Sequence, residues 1–174
     1  MGINENTKTK MHRKKRMISQ VSQFRDIQNV MERRAAIFEV EELLTQHPGA
    51  VREKDGVTPL IHRFTDGFYV REIFIPKGFL CTGKIHKHAH PSFLLKGEVS
   101  VFTEQEGNQR LKAPMTMISQ AGTKRVVYAH EDTVWVTVHL NPTNTQDLQD
   151  IEDTLIAKDY SELPGSVINT KELA

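Results

Sequence analysis

Beyond Gly56 the chain is cut into short apolar runs by turn residues, and this punctuation restricts its fold more than any other feature. Pro59 to Phe64 and Phe68 to Ile75 flank Thr65-Asp66-Gly67, and Pro76-Lys77-Gly78 breaks the chain again. Further runs follow at Thr82 to His90, Phe93 to Leu95, Glu98 to Phe102, Pro114 to Ser119, Lys124 to Ala129 and Thr133 to Leu140. Between them lie Lys96-Gly97, Glu106-Gly107-Asn108, Gln120-Ala121-Gly122 and His130-Glu131-Asp132. Many short strands joined by regularly placed turns build a sandwich or barrel, not an alternation of strand and helix. The expectation is a mainly β protein with a single β-barrel over residues 57–142.

The part before the barrel differs in kind. Residues 1–16 are polar and basic and cannot bury enough surface to offset their ordering entropy, so a disordered arm is expected there. From Met17 onward Val21, Phe24, Ile27 or Gln28, and Met31 recur at helical spacing, and Ile37, Val40 and Leu44 continue the stripe. Glu32, Arg33, Arg34, Glu39, Glu41 and Glu42 supply a wet face, and His47-Pro48-Gly49 stops the pattern. This predicts an amphipathic helix or helix pair over 17–47, whose stripe must pack on the barrel, a second copy or another protein. After the barrel, residues 143–174 are read as a short helix at Asp147 to Ile156 and a loose tail.

Charge is distributed unevenly. Residues 1–40 hold nine Lys/Arg against four Asp/Glu, and the remainder holds fourteen against eighteen, so a net charge of +1 conceals a basic arm. Such a cluster attracts nucleic acid or an acidic protein surface. No aromatic residue interleaves it and no DNA-reading helix is recognisable, so nucleic acid is not the favoured partner. A length of 174 residues with 38% hydrophobic content suits one globular domain. No apolar run approaches the ~20 residues of a membrane span, and no signal-peptide pattern follows the basic start, which points to the cytoplasm. Cys81 is the sole cysteine, so no internal disulfide forms, and its simplest role is that of a small buried hydrophobe.

The chemistry concentrates in Gly83-Lys84-Ile85-His86-Lys87-His88-Ala89-His90. Alternate positions on a strand share a face, and neutral imidazole is the commonest metal ligand. Three histidines on a straight strand would span roughly 13 Å, too far for one ion unless the strand bends. Two of His86, His88 and His90 are therefore expected to hold one divalent transition metal, with the third spare. A polar barrel lining is the alternative reading of the same residues.

Together with Phe93-Leu94-Leu95-Lys96-Gly97-Glu98-Val99, this stretch resembles the first signature of the cupin superfamily, G-x5-H-x-H-x3,4-E-x6-G. Alignment on Gly97 puts His90 at the family's glutamate, His86 at its second histidine and Lys84 at its first. Gln120-Ala121-Gly122-Thr123-Lys124-Arg125 echoes the second signature, G-x5-P-x-G-x2-H-x3-N, with Gly122 in place, Gln120 for the proline and Arg125 for the histidine. The resemblance covers residues 60–140 or so and implies a cupin-type jelly-roll barrel. It also implies, for catalytic members, one Mn, Fe, Ni or Zn held by three histidines and a glutamate.

Here the fourth slot carries a guanidinium, which cannot ligate and repels a cation. His130 and His139 are the available replacements. His130 has the opposite strand parity to Arg125, and His139 is in phase with Trp135 and Thr137. An arginine beside histidines also suits a carboxylate or phosphate, which makes Arg125 and His130 ligand-binding candidates. Glu131 and Asp132 read as turn residues, and no catalytic residue is identified.

The run from Gly122 to Trp135 further resembles small cupin-like proteins encoded by tailed bacteriophages, which implies a virion or assembly context. The expected function is a non-catalytic cupin module that docks on a larger assembly through residues 1–46, or forms a homo-oligomer. The competing expectation is a metal-dependent isomerase or dioxygenase acting on a small polar substrate. The histidine missing from the second signature favours the first.

Overall fold

The structure, a computed structural model, describes residues 28–50 and 56–163. The basic arm expected over 1–16, the first part of the helix expected over 17–47 and the end of the tail expected over 143–174 lie outside the described residues.

The described residues hold eleven strands: β1 (Leu60–Thr65), β2 (Gly67–Ile75), β3 (Leu80–Thr82), β4 (Ile85–His86), β5 (His90–Lys96), β6 (Glu98–Thr103), β7 (Gly107–Lys112), β8 (Met115–Ser119), β9 (Arg125–Ala129), β10 (Thr133–Asn141) and β11 (Ile156–Ala157). They form a five-stranded sheet ordered β1-β2-β10-β5-β8, a four-stranded sheet ordered β3-β9-β6-β7, and a small β11-β4 pair. All pairings are antiparallel. The layers β2-β10-β5-β8 and β3-β9-β6-β7 are the two interleaved four-strand layers of a jelly roll, with β1 added beside β2. The sheets do not close into a continuous barrel, and their inner faces must therefore be covered by packing across the gap.

Alternation supplies that packing. In β6, Val99, Val101 and Thr103 are buried while the residues between them are not, as a half-buried strand requires. Leu94, Val99 and Ala129 are wholly buried, and Ile75, Val101, Leu111, Val127 and Trp135 complete one cluster between the layers. Each large apolar side chain buried in this way contributes about 1.5–3 kcal/mol. Gly97, at φ +93°, makes the tight turn from β5 to β6. A Cβ there would lie 2.5 Å from Thr133 Oγ1 and 2.7 Å from the Asp132 carbonyl, so the turn depends on glycine.

Two local features differ from the sequence expectation. The run from Thr82 to His90 is not one strand but the end of β3, β4 and the start of β5, interrupted at Gly83-Lys84 and at Lys87-His88-Ala89. Strand β7 carries no apolar alternation beyond Leu111, and it forms because the hairpin at Gly107 lays it along β6 with partners from Glu98↔Lys112 to Thr103↔Gly107. Tertiary pairing overrides local propensity there.

Helix α1 occupies residues 28–46 of the described chain. Its barrel-facing line runs through Arg33, Arg34, Ile37, Val40, Glu41 and Leu44, and Ile37 is completely buried. Arg33 donates to the Gln105 carbonyl at 2.9 Å. Glu41 accepts from Thr82 Oγ1 at 3.0 Å and pairs with Lys124 Nζ at 2.7 Å. The Ile37, Val40 and Leu44 part of the stripe is thus spent on the chain's own jelly roll, Phe38 lies at its edge against Tyr160, and Met31, expected in the stripe, is exposed together with Leu43. Helix α2 (Leu148–Leu155) is capped by Asp147, whose carboxylate accepts from the backbone N–H groups of Gln149 and Asp150. No helix among the described residues is long and apolar enough to cross a membrane.

Candidate functional site

The break between β4 and β5 turns the histidine stretch into a corner, and the corner selects its members. His86 and His90 face each other with ring centroids 4.4 Å apart, while His88 sits at the bend, exposed to solvent. The third ring is His139, from β10, 4.4 Å from His90 and stacked on His86 at 5.1 Å. One donor atom from each of His86, His90 and His139 lies within 4.8 Å of the others. Strand β10 reaches the corner because it pairs with both β2 and β5, which aligns Thr137 and His139 on the inner face.

Each ring is held by its neighbours. His90 Nδ1 donates to the His88 carbonyl at 3.2 Å, since a carbonyl can only accept, and this leaves Nε2 with its lone pair free. His139 Nε2 bonds Thr137 Oγ1 at 3.0 Å, and Tyr69 stacks on its ring at 5.9 Å. The Tyr69 hydroxyl is in turn 2.8 Å from His62 Nδ1. His86 is fixed through its backbone, which pairs with Ile156 in β11 and accepts from Gly122 N–H at 2.9 Å. Lys87 ties the same corner to the end of α2, donating from its backbone to Leu155 O and from Nζ to Asp153 O. Ile151 and Leu155 of α2 pack on Tyr69 and close that end of the molecule.

Burial keeps these imidazoles neutral. It is the main cause, with His90 and His139 adding to it, that pushes His86 down to about 2, and burial with His90 pushes His139 down to about 3. His90 is lowered as well, again mainly by burial. Unfolded histidines titrate near 6.5, so below that pH the unfolded chain takes up protons that the native cluster refuses. Stability of the metal-free protein is therefore full above pH 6.5 and falls as pH drops toward the folded values. Between about pH 7.5 and about pH 5.5 the expected loss from His86 and His139 together is on the order of 3 kcal/mol. Urea titrations of chelator-treated protein at those two pH values measure it. An unchanged midpoint would show that the cluster is open to protons.

The triad opens on a cavity of about 800 Å³ lying between the sheets. Ile73, Ile75, Phe79, Val127 and Trp135 line its apolar part, and Glu41 and Leu44 of α1 and Ile151 and Leu155 of α2 contribute to its walls. Arg71 and Arg125 enter it from β2 and β9, on opposite sheets. Arg125 thus stands where the resemblance puts a ligand, lowered from its ordinary value by burial, with Glu104 and Glu106 opposing that shift. Cys81 also lines the cavity, and burial raises its thiol to about 11, which makes it a poor nucleophile.

His130 is placed elsewhere. It follows β9 on the outer face, where Ser100 Oγ and Arg110 Nη1 each lie 2.8 Å from its Nε2 and Tyr128 meets it edge-on. The opposite parity of Arg125 and His130 accounts for this separation. Arg71 was missed by motif reasoning. Its signal was present, however, as the one charge in the inward series Tyr69, Arg71, Ile73, Ile75 of β2.

No protein-family model matches the chain, and no curated protein sequence matches it. Among solved structures, an RmlC-like cupin family protein with a double-stranded β-helix fold from Methanocaldococcus jannaschii is similar at 12% identity, covering 53% of this chain and 89% of its own, with a TM-score of 0.42. A protein with a double-stranded β-helix domain from Klebsiella pneumoniae is similar at 20% identity, covering 54% of this chain and 84% of its own, with a TM-score of 0.43. The DMSP lyase DddQ from Ruegeria pomeroyi is similar at 12% identity, covering 59% of this chain and 55% of its own, with a TM-score of 0.45. Likeness at this level transfers no activity. What the chain's own strand order establishes is its fold, a mainly β jelly roll.

Proposed function

We propose that the protein is a metal-dependent cupin-type protein that acts on a small polar substrate, with His86, His90 and His139 as the ligands of one divalent transition metal. The carrying observation is the convergence of these three imidazoles at the wall of a cavity large enough for a substrate. The donor set fits a metal in three respects. The rings are neutral, their donor atoms lie within reach of one ion, and His90 and His139 are oriented by hydrogen bonds through one nitrogen each. Three protein ligands with an open side are the arrangement of catalytic rather than structural sites.

When bound, such an ion supplies Lewis acidity toward an oxygen of the substrate. The chain's own residues do the rest. Thr137 and Tyr69 hold His139 in place, α1 and α2 supply part of the cavity wall, and the apolar floor of Ile75 and Trp135 gives the substrate's carbon skeleton a surface to lie on. His88 is left as an exposed residue of the corner.

Elemental analysis by plasma mass spectrometry on protein purified without a histidine tag tests this reading. Near one Mn, Fe, Ni or Zn per chain is expected. Metal far below stoichiometric after ions are added back would make the triad a polar lining and defeat the proposal.

A docking role on a larger assembly, with the virion context that the phage resemblance suggests, is the second reading. Met31 and Leu43, exposed on α1, favour it. The two readings are compatible, since docking uses the helix face turned away from the cavity.

A further inference from the structure

The cavity beside the triad has a charge problem of its own. Two guanidiniums, Arg71 and Arg125, line it, and among the described residues neither makes a hydrogen bond or an ion pair. The carboxylates in its lining, Glu41 and Glu152, are engaged elsewhere, each by a lysine at 2.7 Å. Arg71 is half-buried, and Arg125 has Glu104 and Glu106 near enough to favour its charge without touching it. Neither guanidinium thus has a partner in contact, and a dication held by three neutral imidazoles would add to the positive excess of the cavity. An anion is the partner that offsets it.

The two arginines are also placed for a ligand. Arg71 pairs across to Thr137 on β10, two residues from His139 and on the same inner face. Arg125 lies over the Trp135 ring, its guanidinium carbon 5.9 Å from the ring centroid. Its stem fits because residue 83 is glycine, where a Cβ would come 3.0 Å from Arg125 Cγ. Side chains from opposing sheets thus present two forks across one space, each matched to a carboxylate.

We propose that the cavity takes a small organic acid, whose carboxylate groups are bound by Arg71 and Arg125 beside the histidine triad. An organic anion fits better than a bare inorganic one on two counts. A volume of about 800 Å³ lies in the range of organic-ligand pockets, and much of the lining is apolar. Two separated guanidiniums favour a dicarboxylate over a monocarboxylate. The inference rests on the metal-centre reading for what meets the ligand's other end, and on the arginines alone for its charge.

Calorimetric titration of the full chain, zinc-loaded, with succinate, its neutral analogue succinamide and inorganic phosphate tests it. Succinate is expected to bind saturably and succinamide not at all. Arg71→Gln and Arg125→Gln are each expected to weaken succinate roughly 10- to 100-fold with zinc content unchanged, since hydrogen bonds to charged groups carry that much. Equal binding of succinamide, phosphate binding without succinate binding, or wild-type affinity in both variants would each overturn the proposal. The same titration on chelator-treated protein separates it from the metal reading. Arginine-dependent succinate binding there supports the organic-acid site even if zinc is not taken up. Zinc uptake without arginine-dependent binding refutes the organic-acid site and leaves the metal centre standing.

Discussion

His86→Ala is expected to weaken zinc binding by on the order of 100-fold and to leave the jelly roll folded. Structural zinc sites bind with roughly 10–16 kcal/mol shared among four ligands, so one imidazole carries about 3 kcal/mol, which is about 100-fold in affinity. The fold should survive because the core of Leu94, Val99, Ala129 and Trp135 lies deeper between the sheets than the corner bearing His86. His86 is anchored through its backbone, to Ile156 and Gly122, and those bonds do not need the ring. His139→Ala is expected to act in the same way, whereas His88→Ala should bind zinc as the wild type does. Competition against a chromogenic zinc chelator measures all three. Equal losses in the His88 and His86 variants would mean that the corner straightens when metal binds and that His86, His90 and His139 are not the ligand set. Removing His86 should also flatten the acid side of the stability profile, because one buried proton-refusing ring is gone.

The distinction between His88 and His139 marks where the sequence stopped being readable. The jelly roll was legible because its strands are short, alternate in polarity and are punctuated by Gly, Pro and Asp. Each of those signals is local. The spacing argument went further and required that three alternate histidines could not share one ion on a straight strand. What spacing cannot supply is the bend at Lys87-His88-Ala89, which depends on the end of α2 and on Gly122, residues far away in sequence. The third ring comes from β10, about fifty residues on, and it arrives only because β10 threads between β2 and β5. The same reason hid Arg71, whose meaning depends on the lack of a carboxylate opposite it. Strand β7 was illegible for a different cause, since its residues are polar on three successive positions and only the hairpin to β6 makes them a strand.

Glu104→Ala is expected to destabilise the protein by about 3 kcal/mol. Glu104 follows β6 in the turn to β7 and is completely buried. Its two oxygens accept from the Lys124 backbone N–H at 3.3 and 3.2 Å, and Oε1 also accepts from the Tyr160 hydroxyl at 3.0 Å. Burial and this carboxylate together push the Tyr160 phenol above its ordinary range. Alanine would leave the buried Lys124 N–H without its acceptor, at about 1–3 kcal/mol, and take the acceptor from the half-buried Tyr160 hydroxyl, at about 1 kcal/mol. It would also remove the larger of the two carboxylate influences that favour the charge of Arg125. The loss would spread, because Tyr160 is also where α1 rests. Arg34 stacks over its ring at 3.6 Å and Phe38 meets it edge-on at 6.1 Å. Tyr160→Phe removes only one donor and keeps those ring contacts, so it should cost about 1 kcal/mol. Urea unfolding of both variants, followed by Trp135 fluorescence, separates the two contributions. If Glu104→Ala fell within about 1 kcal/mol of the wild type, the carboxylate would be replaceable by water and α1 would be held without it, by its apolar line and the bonds of Arg33 and Glu41.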